Sequence, residues 1–553
     1  MDNNICNIAA ALPRLAREFP DQPAIHYPGK PGENGFARYD VVMDYRTLDT
    51  RSDAIAAGLA KYGIAQGTRV VVMVRPSPEF FLLMFALFKA GAVPVLVDPG
   101  IDRSALKQCL DEAEPEAFIG IPLAHLGRIA LGWAKSAKVL VTVGRRFLWG
   151  GVTLAQVESA GAGAGTQLID TPADDIAAIL FTSGSTGVPK GVVYRHRHLV
   201  AQVEMLGRAM KVQPEDVDFP TFPPFALYDP AMGMTSVIPD MDPTRPARAD
   251  PRKLLDAVER FGVVQLFGSP ALIRVLVEHG APLPTLRRVT SAGAPVPPEI
   301  VAGMRKLLSE DAQFWTPYGA TECLPVSIVE SRELERTRTA TETGAGTCVG
   351  LPVPPNEVRI IRITDDPIAV WSDEWLVPTG VIGEITVAGP TATDTYFNRD
   401  IATKLAKTAE RLTDGNERIV HRMGDVGYFD DEGRLWFCGR KTQRVETTIG
   451  PFYTEQAEPI FNTHPQLRRT ALVGVGEFGK QTPVLCYELL PGVDVQKASD
   501  IENELRELGS RYQHTREIRI FLRHPEFPVD IRHNTKIGRE KLAIWAASQL
   551  PRR

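Results

Sequence analysis

"AILFTSGSTGVPKGVVYRHRHL", residues 178 to 199, decides how this chain is read. An apolar run ends in Thr182, Ser183, Gly184, Ser185, Thr186 and Gly187, with Lys190 and Gly191 just beyond, and apolar residues resume at Val192. A Walker A phosphate loop needs Gly-Lys-Ser/Thr running into a helix, whereas Lys190 stands between Pro189 and Gly191. The chemistry is nevertheless that of an anion cradle. Glycines free backbone N–H groups, four hydroxyls add donors and Lys190 adds a positive charge, a set suited to a polyphosphate whose charge develops during reaction. An ordinary Gly/Ser turn has no use for so many donors around one lysine.

Working outward, "RVVVMV" (69–74) reads as a strand, "PEFFLLMFALFKAG" (78–91) as a helix and "AVPVLVD" (92–98) as a strand again, the rhythm of α/β architecture. It returns at residues 252–280, where two helical stretches flank "VVQLFG", so two sheets of related design are expected before residue 320. From 345 the texture turns to short strands, with "GEITVAG" and the hairpin signal "GYFDDEGRLWFCG". We expect a small β-barrel-like subdomain there, a domain boundary near residue 440, and a small α+β C-terminal domain over 441–553. The charged stretch "ESRELERTRTATETG" (330–344) reads as a solvated insertion.

With 553 residues, 44% of them hydrophobic, the chain can bury several cores. Its net charge of −5 and the lack of a long basic tract exclude nucleic acid as a partner. Six cysteines without a C-x-x-C pair suit a reducing cytosol rather than a disulfide framework or zinc site. The start has no secretory pattern, and "FFLLMFALF" (80–88) is too short to span a bilayer, so a cytoplasmic protein with no integral membrane segment is expected. His196 and His198 show no metal-ligand pattern and read as surface or core filler.

Further motifs follow in order: "SAGAPV" at 291–296, "YGATE" at 318–322, "GEITVAGP" at 383–390, "GD" at 424–425, "GR" at 439–440 and "KIGREKL" at 536–542. Together with "TSGSTGVPKG" they resemble the adenylate-forming enzymes, which include acyl-CoA synthetases, firefly luciferase and peptide-synthetase adenylation domains. The resemblance covers nearly the whole chain and implies an ATP- and magnesium-dependent ligase whose 1–440 portion adenylates and whose 441–553 portion is mobile. It implies that Thr182, Ser183, Gly184, Ser185, Thr186, Gly187 and Lys190 hold the phosphates, that Gly293 and Ala294 admit the adenine, and that Tyr318 and Gly319 lie against it. Thr321 would bond the phosphate side, Glu322 would give magnesium its carboxylate oxygen, and Asp425 would accept both ribose hydroxyls. Arg440 would hold ribose or phosphate, and Lys536 would bridge the attacking carboxylate and the α-phosphate.

The departures carry the functional reading. "FPPFALYDPAMG" puts Ala226 where many acyl-activating members have a gating histidine, which implies a wider pocket. Thr442 stands at the hinge position usually held by Asp or Lys, "VETTIG" replaces the loop that helps build a thiol tunnel, and Thr535 replaces the usual Gly before Lys536. The adenylating parts are kept while those presenting an external thiol are altered. This pattern most resembles the bacterial β-lactone synthetases of olefin biosynthesis, in which the hydroxyl of a long-chain β-hydroxy (2-alkyl-3-hydroxy) acid displaces AMP from its own adenylate. Assembly with other olefin-pathway enzymes is a further expectation. A long-chain acyl-CoA or acyl-AMP ligase is the competing enzyme, and a silent nucleotide-binding scaffold the competing class. Tyr228 and Asp229 are candidates by position for the base that takes the hydroxyl proton.

Overall fold

The structure, a computed structural model, describes residues 6–98, 101–182, 189–494, 498–529 and 537–550. Two α/β sheets form a large N-terminal domain. The first has spatial order Val152–Thr153, Val139–Thr142, Ala117–Gly120, Arg69–Met73, Val93–Val97, Ile176–Thr182 and Lys190–Arg195. Its neighbours are parallel except the last pair, a hairpin whose strands match Thr182 with Lys190. The phosphate-loop sequence is therefore the connection of this hairpin, and Ser183, Gly184, Ser185, Thr186 and Gly187 lie outside the described residues, as does the side chain of Thr182.

The second sheet has a parallel half built from Thr235–Val237, Val217–Pro220, Gln265–Gly268, Arg288–Ser291 and the start of Gln313–Ala320. It continues through antiparallel pairs from Cys323–Glu330 and Thr347–Pro352 into Leu435–Arg440, Glu417–Phe429, Gly383–Ala388 and Glu357–Ile361. The antiparallel subdomain thus shares a hydrogen-bonded ladder with the second α/β sheet. The hairpin read from "GYFDDEGRLWFCG" joins Glu417–Phe429 to Leu435–Arg440, and Asp430 caps its turn by accepting from the N–H groups of Glu432 and Arg434.

Beyond Arg440 the chain forms a three-stranded sheet (Leu467–Val475, Thr482–Leu489, Ile520–Arg523) with helices Thr454–Asn462, Ala498–Ser510 and Arg539–Gln549. It is tied to the large domain by Arg444 to Asp365 at 2.5 Å, Lys441 to Glu384 at 3.0 Å and Thr347 to Glu455 at 2.9 Å. All six cysteines are free. Among the described residues no helix is long and apolar enough to cross a membrane.

The charged stretch at 330–344 is not a loose insertion. It forms the helix Ser331–Glu342, capped by the Glu330 side chain, with Ser331 and Thr337 buried and Glu333 paired to Arg434 at 2.8 Å. His196 and His198 are both buried.

The run at 80–88 is the buried helix Pro78–Lys89, begun by Ser77 as cap and Pro78 in its first turn. It ends in a lysine that has no access to water. Lys89 Nζ lies 2.6 Å from Asp49 and 2.7 Å from Asp53, both on the helix Tyr45–Lys61, so a charge triad fastens the two helices together. Burial raises the Asp53 carboxyl, and the lysine opposes this. Lys89→Met leaves two buried carboxylates facing each other, and unfolding in urea should show a loss of about 3–5 kcal/mol at neutral pH. Without the ammonium the Asp53 carboxyl rises further above its unfolded value, so the penalty is present at high pH and fades as the solution is acidified through that folded-state value.

Candidate active site

Three connections converge on one cleft. The strand Arg288–Ser291 runs into the loop carrying Gly293, whose φ of +96° suits glycine and leaves the backbone bare at the mouth. The next strand, Gln313–Ala320, turns back into Cys323–Glu330 with Ala320 paired to Cys323, so Thr321 and Glu322 are the two residues of a tight turn. Gly319 is required there, since a Cβ would come within 2.8 Å of the Cys323 carbonyl oxygen. The third contribution is a cross-strand pair, Asp425 opposite Arg440.

The turn is held from both sides. Tyr194, on the strand Lys190–Arg195, donates its phenol to the Thr321 carbonyl. Thr393 donates its N–H at 2.9 Å and its hydroxyl at 3.0 Å to the Glu322 carbonyl. The Tyr396 phenol donates to Glu322 Oε1 at 2.7 Å, which fixes the carboxylate itself. Lys190 Nζ lies 5.1 Å from the Tyr396 ring centroid, and Lys407 Nζ lies 5.7 Å from the same centroid. Lys407 also donates to both oxygens of Thr393. Burial lowers its ammonium to about 8, opposed by Glu322.

Asp425 is buried, accepts the Tyr318 phenol on Oδ2 at 2.6 Å and faces Arg440 Nη1 with Oδ1 at 2.9 Å. Burial pushes its carboxyl up, while Arg440 and the phenol pull it down. The guanidinium N–H groups of Arg440 are not aligned for a good hydrogen bond to Oδ1, so that oxygen keeps acceptor capacity for a hydroxyl-bearing ligand. Tyr318 is braced by Phe437, ring centroids 5.9 Å apart.

Lys190, Gly293, Ala294, Tyr318, Gly319, Thr321, Glu322, Asp425 and Arg440 all line one cavity of about 3110 Å³, together with Thr442. Lys536 lies outside the described residues. The cavity wall corrects the reading of the acyl gate. Ala226 sits in the 3-10 turn Phe225–Leu227 and is fully buried in the core, while Phe225, Leu227 and Tyr228 face the cavity. A small residue at 226 therefore does not widen the pocket. Asp229 points into the core, accepting from Ser236 beside buried Asp218, and burial raises both carboxyls. Tyr228 donates to Gln202 at 2.7 Å, and burial raises its phenol too.

Sequence reasoning missed Tyr194, Tyr396, Thr393 and Lys407. The one signal for Thr393 and Tyr396 is their place soon after "GEITVAGP"; nothing in the spacing marks the others.

Residues 12–397 match the AMP-binding enzyme family. The chain is 71% identical over 545 residues to an olefin beta-lactone synthetase of Xanthomonas campestris pv. campestris, covering 99% of this chain and 98% of that protein. It is 68% identical over 552 residues to an olefin beta-lactone synthetase of Stenotrophomonas maltophilia, covering 100% of both. In fold it is similar to the amide bond synthetase of Marinactinospora thermotolerans, with a TM-score of 0.77 at 22% identity over 98% of this chain and 99% of that one.

Tyr318→Phe tests the geometry at Asp425. Losing a charge-assisted hydrogen bond should weaken ATP binding by about tenfold in calorimetry. Because the phenol stabilises the ionised carboxylate, its loss raises that pKa, and binding should fall off with acid at a higher pH than in the unaltered protein.

Proposed function

The chain belongs to the AMP-binding enzyme family, and on that premise we propose that it activates a long-chain 3-hydroxy acid with ATP and closes it to a β-lactone. The observation that carries this reading is full-length identity of 71% and 68% to two olefin beta-lactone synthetases.

In the first step a carboxylate oxygen bonds to the α-phosphorus and the bond to the departing pyrophosphate breaks. Two anions must meet, so the chain's task is to cancel charge. Lys190 stands at the end of the phosphate hairpin, and Lys536 completes the cancellation from the small domain. Asp425 and Arg440 hold the ribose end, with Tyr318 and the bare backbone at Gly293 and Ala294 against the base. Glu322 fits magnesium: one fixed carboxylate oxygen beside phosphates is how that ion is commonly held, and among the described residues no cluster of three His, Cys, Asp or Glu forms a separate cage. Bound there, the ion would neutralise phosphate charge, and Tyr396 and the turn hydrogen bonds would keep Glu322 aimed at it.

In the second step the acid's own hydroxyl oxygen bonds to the carbonyl carbon, the carbon–oxygen bond to AMP breaks and the hydroxyl proton leaves. A tethered nucleophile meets its target without the entropy cost of a second substrate. Asp229 cannot take the proton, because it faces the core. Tyr228 faces the cavity but remains a phenol, so it orients rather than deprotonates.

The small domain is proposed to move about the junction at Arg440, with Lys441 anchored to buried Glu384 as a pivot. The free cysteines suit a cytoplasmic setting, and a strained product favours assembly with the enzyme that consumes it.

With a long-chain 3-hydroxy acid, ATP and magnesium, mass spectrometry should find AMP, pyrophosphate and a β-lactone, with no stimulation by coenzyme A. The 3-deoxy acid should give no ring; acyl-CoA made efficiently from it would overturn the reading. Lys536→Ala should slow pyrophosphate release by about a hundredfold or more while ATP binding changes little, because the lysine acts on charge that develops in the transition state.

A further inference from the structure

The first sheet has a crevice that adenylation does not use. From Arg69–Met73 the chain crosses to Val93–Val97 on one side and then returns to Ala117–Gly120 on the other, so the strand order reverses between Arg69–Met73 and Ala117–Gly120. In open parallel sheets the carboxyl ends of strands at such a reversal form a ligand crevice. Here Met73 and Ile121, at the ends of those two strands, line the cleft that also holds Glu322 and Arg440, and the helix Pro122–Leu131 closes the side with Leu123, Leu126 and Leu131. These three leucines are 64%, 53% and 43% exposed, although each faces the cavity. Large apolar side chains left uncovered along one wall mark a surface that waits for an apolar occupant. A nucleotide or phosphate would call for cations and hydrogen-bond donors instead.

The occupant follows from the product. When a β-lactone loses carbon dioxide, C2 and C3 of the parent acid become the two alkene carbons. An olefin with a chain on each of those carbons descends from an acid with one chain on C2 and another beyond C3. Two diverging chains need two apolar arms. Phe225 and Leu227 of the 3-10 turn, with Phe267 on the second sheet, provide one. We propose that the crevice walled by Leu123, Leu126 and Leu131 at the carboxyl end of the first sheet holds the second alkyl chain of a 2-alkyl-3-hydroxy acid. This rests on the lactone reading for the identity of the substrate, and on the continuity of the cavity for the path from carboxylate to crevice.

The test uses Leu123→Gln/Leu126→Gln, a double variant at exposed positions that leaves the core untouched. Two series of acids are assayed by pyrophosphate release, one varying the C2 chain and one varying the chain beyond C3, with β-lactone followed separately by mass spectrometry. In the unaltered protein KM should fall about threefold to fourfold for each methylene that enters an apolar arm. The double variant should flatten this dependence in one series and leave the other intact. Leu126→Trp, which narrows the crevice, should shorten the longest chain accepted in that same series. Unchanged slopes in both series, as expected if the leucines dock a partner protein or a membrane, would overturn the proposal, as would equal flattening in both. Pyrophosphate release without any β-lactone would refute the lactone reading while the slopes still decide the crevice.

Discussion

The site depends on the position of a two-residue turn. Thr321 and Glu322 sit at the tip of a hairpin in the second sheet, and such a tip would fray in water. It is fixed because its two carbonyls are claimed by different parts of the fold: Thr321 by Tyr194 of the first sheet, Glu322 by Thr393 in the loop after Gly383–Ala388. That loop is itself bound along the first sheet, with the Val193 N–H on the Thr395 carbonyl and the Phe397 N–H on the Gly191 carbonyl. The carboxylate of Glu322, the ammonium of Lys190 and the hairpin that launches the phosphate loop therefore share one frame. A shift of either sheet would move all of them together.

Charge balance is handled differently at the other end of the cleft. Asp425 lies where burial alone would favour its neutral form, yet both of its oxygens are free to act purely as acceptors only when it is ionised. Arg440 and the Tyr318 phenol supply the compensation. Arg440 is also the last residue of its strand, and Lys441 just after it is pinned between Glu384 and the Thr364 carbonyl. Glu384 is in turn paired with Arg422 at 2.6 Å, so a buried carboxylate shared by two cations lies directly under the junction with the small domain. The Asp425–Arg440 pair and the junction with the small domain are thus adjacent.

The two α/β sheets and the hairpin were legible in the sequence because each rests on local periodicity and turn residues. The motif residues were legible because their chemical types cluster in short stretches. Tyr194 and Lys407 left no such mark, since they act across separations such as the 127 residues between Tyr194 and Thr321. The expectation for Ala226 failed for a geometric reason: in a 3-10 turn successive side chains point about 120° apart, so Phe225 and Leu227 take the cavity while Ala226 turns into the core. The helix Ser331–Glu342 was hidden by its charge, with too few apolar residues among the Glu and Arg to reveal a buried face.

The closing of a strained ring asks less of side-chain catalysis than transfer to an external thiol does. AMP is a good leaving group once the adenylate exists, and the hydroxyl is two carbons from the carbonyl it attacks, so the nucleophile is present at a high effective concentration. What competes is water. Large apolar stretches of the cleft wall, from Phe225 and Phe267 on the side of the second sheet to Met73 and Leu106 on the side of the first, favour alkyl chains over water around the reacting carbon. In such a setting the residues that matter for the second step are those that hold the two chains so that the hydroxyl faces the carbonyl. Burial keeps Tyr228 a phenol bonded to Gln202 on the cavity wall, which suits that positioning role better than proton abstraction.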